Sequence, residues 1–384
     1  MTTKVVVVAP ILARNDAVSQ SAIDMWRQIQ SSPGYSAELL TAYSDFPEIG
    51  ARVVNGPQWA LCDPAFLSAD AIIYHFGVYA PIHDAMLIGN GQAKQIVMFH
   101  NVTPSHFLSP EQEPTIVKSF RQMSNFFSLD AIWCASPVNA EAILEYGISG
   151  KPIEVIPLAV DAPIRSCFSE KDKEILEIVF VGRIVKSKGV LDLVHALEMM
   201  YNSGGPEFRL RLAGNQSFSD HRYLAEVKLA AEPLGERVEF LGAVDDFTRD
   251  RLLREAHILA IPSYHEGFCK PVIEGLRAGC IPVGYNAYNT PNVAGQLGRL
   301  VAPGDVAALS AALHDIASCL SEHQKSPVFD CELPLDRGPT SIRQFDELVS
   351  IHVRNFETDI ITQEVLNKLD LICVDRDALT NHLA

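Results

Sequence analysis

The chain has 384 residues, 48% apolar and 20% charged, the composition of a globular protein long enough to bury two cores without staples. A net charge of −16, with no run of five Lys or Arg, excludes nucleic acid as partner, because neutralising phosphates needs a basic face. It also counts against tight electrostatic docking on an anionic membrane.

The predicted elements alternate strand and helix. "KVVVVAP" (4–10) is a β-branched run suited to a strand buried on both faces, and "AVSQSAIDMWRQIQ" (17–30) has helical spacing. "DAIIYHF" (70–76), "KQIVMFH" (94–100), "DAIWCAS" (130–136) and "IEVIPLAV" (153–160) complete the first series. Residues 161–175, charged and polar, read as a linker. The series restarts with "LEIVFVGR" (176–183) and a helix from about Lys188, then "FRLRLAG" (208–214), "RVEFLGAV" (237–244), "AHILAIPS" (256–263) and "GCIPVGY" (279–285). Alternation of this kind means parallel βαβ units with right-handed crossovers. The expected architecture is α/β: two doubly wound Rossmann-like domains, 1–165 and 166–335, facing across a cleft. Amphipathic helices in 336–384 are expected on the outside, crossing back to the first domain.

No stretch approaches 18 uninterrupted apolar residues, so no transmembrane helix is expected. "MTTKVVVVAP" is too short for a signal-peptide core. Eight dispersed cysteines without a CxxC pair are expected as reduced thiols. Together these place the chain in the cytoplasm, with transient association at the inner face of the membrane still compatible.

In such sheets ligands sit beyond the carboxyl ends of the strands, so the loops there carry the chemistry. In "FVGRIVKSKG" (180–189), Gly182-Arg183 ends a strand and Lys188 is expected in the first turn of a helix. Two cations at a helix start would clamp a diphosphate, Arg as a fork and Lys as a point charge. The competing reading is two solvated surface cations. In "HEGFCKPVIEG" (265–275), Pro271 marks a helix start. Gly267 would relieve the backbone, and the N–H groups of Phe268, Cys269 and Lys270 would point from the helix start. Glu266 and Glu274 would each accept two hydrogen bonds from a vicinal diol, although an acidic residue near a helix start also satisfies the dipole alone.

"EGFCKPVIEGLRAGCIPV" resembles the E-x7-E signature of the retaining glycosyltransferases of family 4, which have the GT-B fold. "VGRIVKSKGVLDLVHAL" matches the family's G-R-x-x-x-x-K-G segment, and "LRLAGN", "VEFLGAV" and "GRLVAPGDVAALSAAL" follow in order, densest from about 130 to 313. The resemblance implies a hexosyltransferase using a UDP- or GDP-sugar, with a saccharide or lipid-linked saccharide as acceptor, in polysaccharide or glycoconjugate assembly. Arg183 and Lys188 would bind the diphosphate, Glu266 the transferred sugar and Glu274 the ribose. Backbone near Asn215 and Ala243 would meet the base. His100, at a strand end, would contact the sugar and phosphate. Neither a cofactor nor a metal is called for, since the cations and the helix start neutralise the diphosphate. "DRD" (375–377) has the shape of a metal motif but lies away from any strand edge.

On the acceptor side stand Asn15, His75, Asn101 and Thr103. His75 reads first as a structural histidine, an alternative that also stands for His100, and His83 and His106 read as surface or supporting residues. The family's glycine pair after the first strand is missing here. Asn15 and Asp16 stand in its place, one of them a candidate cap for the next helix. Cys269 replaces a common glycine. The competing functions are a sugar-nucleotide epimerase of the same fold and a non-catalytic sugar-nucleotide binder.

Overall fold

The computed structural model describes residues 2–14, 16–107, 112–160, 166–171, 175–214, 221–325 and 332–380. The chain divides into two units: Met1–Ala159 with Phe356–Ala384, and Val160–Asn355.

In the first unit, seven parallel strands lie in the order β3-β2-β1-β4-β5-β6-β7. They are β1 (Thr3–Ala9), β2 (Tyr35–Thr41), β3 (Arg52–Val53), β4 (Ala71–Phe76), β5 (Lys94–Phe99), β6 (Ala131–Cys134) and β7 (Ile153–Val155). The helices between them are α1 (Ala17–Gln30), the short α2 (Pro57–Ala60) and α3 (Pro64–Leu67), α4 (Glu113–Gln122) and α5 (Pro137–Glu145). Central β1 and β4 are buried along nearly their whole length, which their unbroken Val and Ile runs foreshadow. The order of strands reverses between β1 and β4.

In the second unit, β8 (Leu176–Val181), β9 (Phe208–Ala213), β10 (Val238–Gly242), β11 (Ile258–Ile261), β12 (Ile281–Tyr285) and β13 (Arg299–Val301) form a parallel sheet in the order β10-β9-β8-β11-β12-β13. Its helices are α6 (Val190–Asn202), α7 (His221–Ala231), α8 (Asp246–Glu255), α9 (Lys270–Arg277), the short α10 (Thr290–Ala294) and α11 (Val306–Lys325). An antiparallel pair, β14 (Glu332–Leu335) and β15 (Gly338–Ser341), leads into α12 (Ile342–Val353). Ser341 and Gln344 cap α12 reciprocally. Here the order reverses between β8 and β11. Both units therefore show the two doubly wound sheets expected from the alternation.

Two features depart from the expectations, the linker and the cysteines, and between them stands the last helix, which crosses back to the first unit. The segment read as a polar linker contains an anchor. Phe168 is fully buried, its N–H donating to Asp346 at 2.7 Å, and Lys171 donates to the carbonyls of Leu253 (3.0 Å) and Ala256. Those carbonyls close α8, where a cation complements the helix dipole. The last helix, α13 (Thr358–Thr380), belongs to the first unit. Lys368 pairs with Glu154 of β7 at 2.7 Å, and Tyr35 of β2 hydrogen-bonds Asp370. "DRD" lies within this helix, where its side chains are outside the described residues. Finally, Cys319 is disulfide-bonded, against the expectation of free thiols, whereas Cys62, Cys134, Cys167, Cys269, Cys280 and Cys373 are free. Sequence distance hides the reason: α11 comes back alongside the β14 segment, so that Cys319 Sγ lies 3.5 Å from the Glu332 carbonyl. No helix among the described residues is long and apolar enough to cross a membrane.

Candidate functional site

The reversal between β8 and β11 opens a crevice at the carboxyl edge of the second sheet, the usual binding place in such folds. The loops after these two strands are fastened together there. Gly182 follows β8, its N–H bonded to the Ala213 carbonyl at 2.9 Å, and Arg183 stands exposed. The chain then makes a 3-10 turn over Lys186–Lys188 before Gly189 turns into α6. Lys188 is thus in the turn that precedes the helix, not in its first turn as the sequence suggests. Gly189 has φ 60, and a Cβ there would lie 2.0 Å from the carbonyl oxygen of Pro262, just after β11. Glycine is therefore required both for the left-handed turn and for the close approach. The Tyr264 N–H donates to the Ser187 carbonyl at 2.8 Å, completing the join.

This join brings Lys188 to Glu266. Nζ donates to Oε1 at 2.6 Å, with side-chain exposures of 19% and 11%. Burial raises the proton affinity of Glu266. It is outweighed by the charge and hydrogen bond of Lys188, helped by Ser263 and His265, and the carboxyl titrates below its ordinary value. The sequence assigned the lysine to a diphosphate and the glutamate to a sugar. In the structure each is also the other's partner, a pair that can hold both groups in place for a ligand.

Pro271 stands in the first turn of α9, as expected. The residue that turns the backbone immediately ahead of the helix is Cys269 (φ 75, ψ 59). The left-handed conformation is needed one residue before the helix, which is where the family's glycine would stand. Burial, and then the charge of Glu266, push the Cys269 thiol well above its ordinary value, so it stays protonated. Phe268 is buried, its carbonyl accepting from Asn289 Nδ2 at 2.9 Å. Pro271 brings no N–H to the start of α9, and the Val272 N–H donates to the Cys269 carbonyl at 3.1 Å.

Glu274 lies half-buried on α9. Arg249 of α8 faces it. Burial lowers the proton affinity of Arg249, but Glu274, then Asp250 and Asp246, raise it to a net increase. Asp246 and Asp250 each pair with the guanidinium at 2.9 Å. Ala243 is exposed in the turn between β10 and α8, and Asn215 lies outside the described residues.

In the first unit, Asp16 caps α1 by accepting from the Ser19 N–H at 2.8 Å, and Asn15 lies outside the described residues. Ser19 Oγ donates to the Ile11 carbonyl and accepts from the Ala13 N–H, both at 3.0 Å, so the glycine-free loop is held by α1 itself. His75 was expected to line the acceptor side. It is instead fully buried, because residues 81–87 coil over the end of β4. Its Nδ1 lies 2.9 Å from Nε2 of the half-exposed His100, and the rings stack at 5.1 Å. His83 is fully buried rather than on the surface, its Nε2 3.1 Å from the His75 carbonyl, and His106 is exposed. Asn101 takes φ 79, tolerable for asparagine, and donates to Asn139 Oδ1 at 2.9 Å. Thr103 is half-buried in the same loop.

Sequence reasoning missed Arg249 and a carboxylate beneath the site. Asp192 on α6 accepts from the hydroxyls of Tyr264 (2.5 Å) and Tyr285 (2.8 Å). Burial, then that hydrogen bond, push Tyr264 up to about 12. The only available signal was the placement of Tyr264 two residues before Glu266.

Residues 166–326 match the model of a family described as glycosyl transferases group 1. Among curated proteins, the MMP alpha-(1->4)-mannosyltransferase of Mycolicibacterium hassiacum is 27% identical over 179 residues, 45% of this chain and 42% of its own length. The mannosylfructose-phosphate synthase of Agrobacterium fabrum is 27% identical over 305 residues, covering 64% and 66%. The chain spans less than half the length of the first relatives it matches. Among solved structures, Anabaena HepE in complex with UDP and glucose superposes with a TM-score of 0.69 at 16% identity, covering 96% of this chain and 99% of that one. Sucrose-phosphate synthase from Thermosynechococcus elongatus gives 0.69 at 16% identity, covering 97% and 100%. The two sheets and their topology thus define a GT-B fold. The match to the glycosyl transferases group 1 family falls within the second unit, and it is this family that the unit resembles in sequence.

Proposed function

We propose that the chain is a retaining, metal-independent glycosyltransferase. It moves a hexose from a UDP- or GDP-sugar to a hydroxyl of a saccharide or lipid-linked saccharide, in polysaccharide or glycoconjugate assembly at the cytoplasmic side. The second unit takes the donor and the first the acceptor. The observation that carries this reading is the Lys188–Glu266 pair at the strand reversal, beside the exposed Arg183 and the start of α9. An anion placed there meets two cations and a helix start, and a sugar next to it meets a carboxylate already held in position. HepE, similar in fold, binds UDP and glucose.

In the transfer, the bond between the anomeric carbon and the diphosphate oxygen breaks, with positive charge developing on the sugar. The acceptor hydroxyl attacks from the same face, and its proton passes to the departing diphosphate oxygen. Arg183 and Lys188 stabilise the charge on that leaving group. Glu266 orients the sugar, Glu274 the ribose, and the backbone near Ala243 and Asn215 the base. His100 hydrogen-bonds the sugar or phosphate. Incubation with labelled UDP- and GDP-hexoses in EDTA, with candidate acceptors, should release nucleotide and yield a glycoside of unchanged anomeric configuration. A new free nucleotide sugar would point to an epimerase, and affinity without turnover to a binding protein; either overturns the reading.

A further inference from the structure

The geometry points to His75 as a positioning residue that fixes which ring nitrogen of His100 carries the proton. His75 is buried at the end of β4, and His100 follows β5, the neighbouring strand. Their rings stack with an interplanar angle of 24°, and His75 Nδ1 and His100 Nε2 are 2.9 Å apart. At that distance one nitrogen donates and the other accepts, so the tautomers of the two rings are tied together.

Which way the bond runs follows from the far side of His75. Its Nε2 is buried and has no partner among the described residues. If the proton sat on Nε2, a buried N–H would be stranded. If it sits on Nδ1, the proton serves the bond to His100 and only a lone pair goes unmet. Stranded donors are the rarer and costlier case. Double protonation of His75 is excluded by its surroundings: complete burial disfavours the cation, and His100 and His83 on either side add no negative charge. His75 Nδ1–H therefore donates to His100 Nε2. A neutral His100 then carries its proton on Nδ1 and is locked as a donor from that edge. On the reading of the site given above, this Nδ1–H is what meets the sugar hydroxyl or phosphate oxygen. His75 touches neither and acts only through His100.

The test separates the tautomer from the activity. Long-range proton–nitrogen spectra of the full chain, labelled with ¹⁵N-histidine, should show both rings neutral and protonated at Nδ1. In His75→Phe the stacked ring remains but its nitrogens are gone. The His100 proton should then move to Nε2, the form imidazole side chains prefer in water, and the transfer rate should fall about tenfold with a smaller change in donor KM. In His75→Asn the side-chain amide can donate from about the place of Nδ1, and both the tautomer and the rate should return toward the parent's. Nε2-protonated His100 in the parent chain overturns the inference whether or not either variant folds. So does a His100 tautomer unchanged in His75→Phe, or a changed tautomer with an unchanged rate. A chain inactive with every donor would sink the proposed function, and the spectra of the parent would still decide the direction of the hydrogen bond.

Discussion

The two units share a topology and furnish it in opposite ways. Each reverses its strand order at one place, β1/β4 in the first and β8/β11 in the second. At the second reversal the structure buries a charged pair, Lys188 with Glu266, beside the exposed Arg183. Around β4 and β5 of the first it buries neutral rings, His75 and His83, with His100 at the rim. The fold fixes where a ligand can sit, and the loops decide what charge it must carry. Cations and carboxylate suit an anionic diphosphate and its sugar, whereas neutral donors and acceptors suit hydroxyls.

The largest effect that would break this contrast is expected at Lys188. Lys188→Ala should lower the transfer rate by about 10²–10⁴-fold, since it removes charge stabilisation from the leaving group. It should also cost stability of about 3 kcal/mol, because Glu266 is left buried without its partner. A second change, Glu266→Gln, should recover much of the stability and none of the rate, as steady-state kinetics and denaturant titration of both variants would show. Recovery of the rate would mean that the pair is only structural. Next comes the join between the loops. Gly189→Ala demands a left-handed alanine and drives Cβ into the Pro262 carbonyl, for a loss of about 4 kcal/mol measured by urea unfolding. An unchanged midpoint would show that the two loops part without cost.

How much of this was legible follows from the same residues. The βαβ alternation is written in apolar runs buried on both faces, so the strands and their order of appearance could be read directly. The two family segments were legible as well, because their spacing follows from local turns. What could not be read depends on contacts far apart in sequence. Lys188 and Glu266 are 78 residues apart, and nothing local announces that they meet. Phe168 and Lys171 sit in a stretch whose composition is that of a linker, yet they fill the space beneath α12 and the end of α8. The burial of His75 is set by the coil over residues 81–87, which strand periodicity cannot foresee.

Acid should separate the two reversals by pH. Burial pushes His83 down to about 4 and lowers His75 well below its ordinary value. Below pH about 6.5 the unfolded chain binds protons that the folded histidines refuse, so stability falls with falling pH. The slope is about 1.4 kcal/mol per pH unit for each such histidine and ends for His83 near pH 4. Glu266 is also shifted down, but over a more acidic range: its contribution is present above the ordinary carboxyl range near 4.5 and is lost only as pH falls through its lower folded value. Unfolding followed by near-ultraviolet signals between pH 7 and 4 should therefore report a loss that His83→Gln reduces and Glu266→Gln leaves in place. A loss equally sensitive to Glu266 would remove the distinction.

The smallest effect is expected where the second reversal carries strain. Cys269 holds the left-handed conformation ahead of α9 without being glycine, at a cost on the order of 1 kcal/mol. Cys269→Gly removes that strain, gives the unfolded chain more freedom, and vacates the buried space of the sulfur. These terms oppose one another, so the melting temperature should move by the equivalent of about 1 kcal/mol or less. Cys269→Val keeps the volume but places a β-branched residue at positive φ, and should be less stable than either. The order glycine near cysteine, valine well below, would locate the strain in the backbone. Glycine as damaging as valine would show instead that the buried sulfur holds this turn, and that the charged edge depends on side-chain packing as much as the histidine edge does.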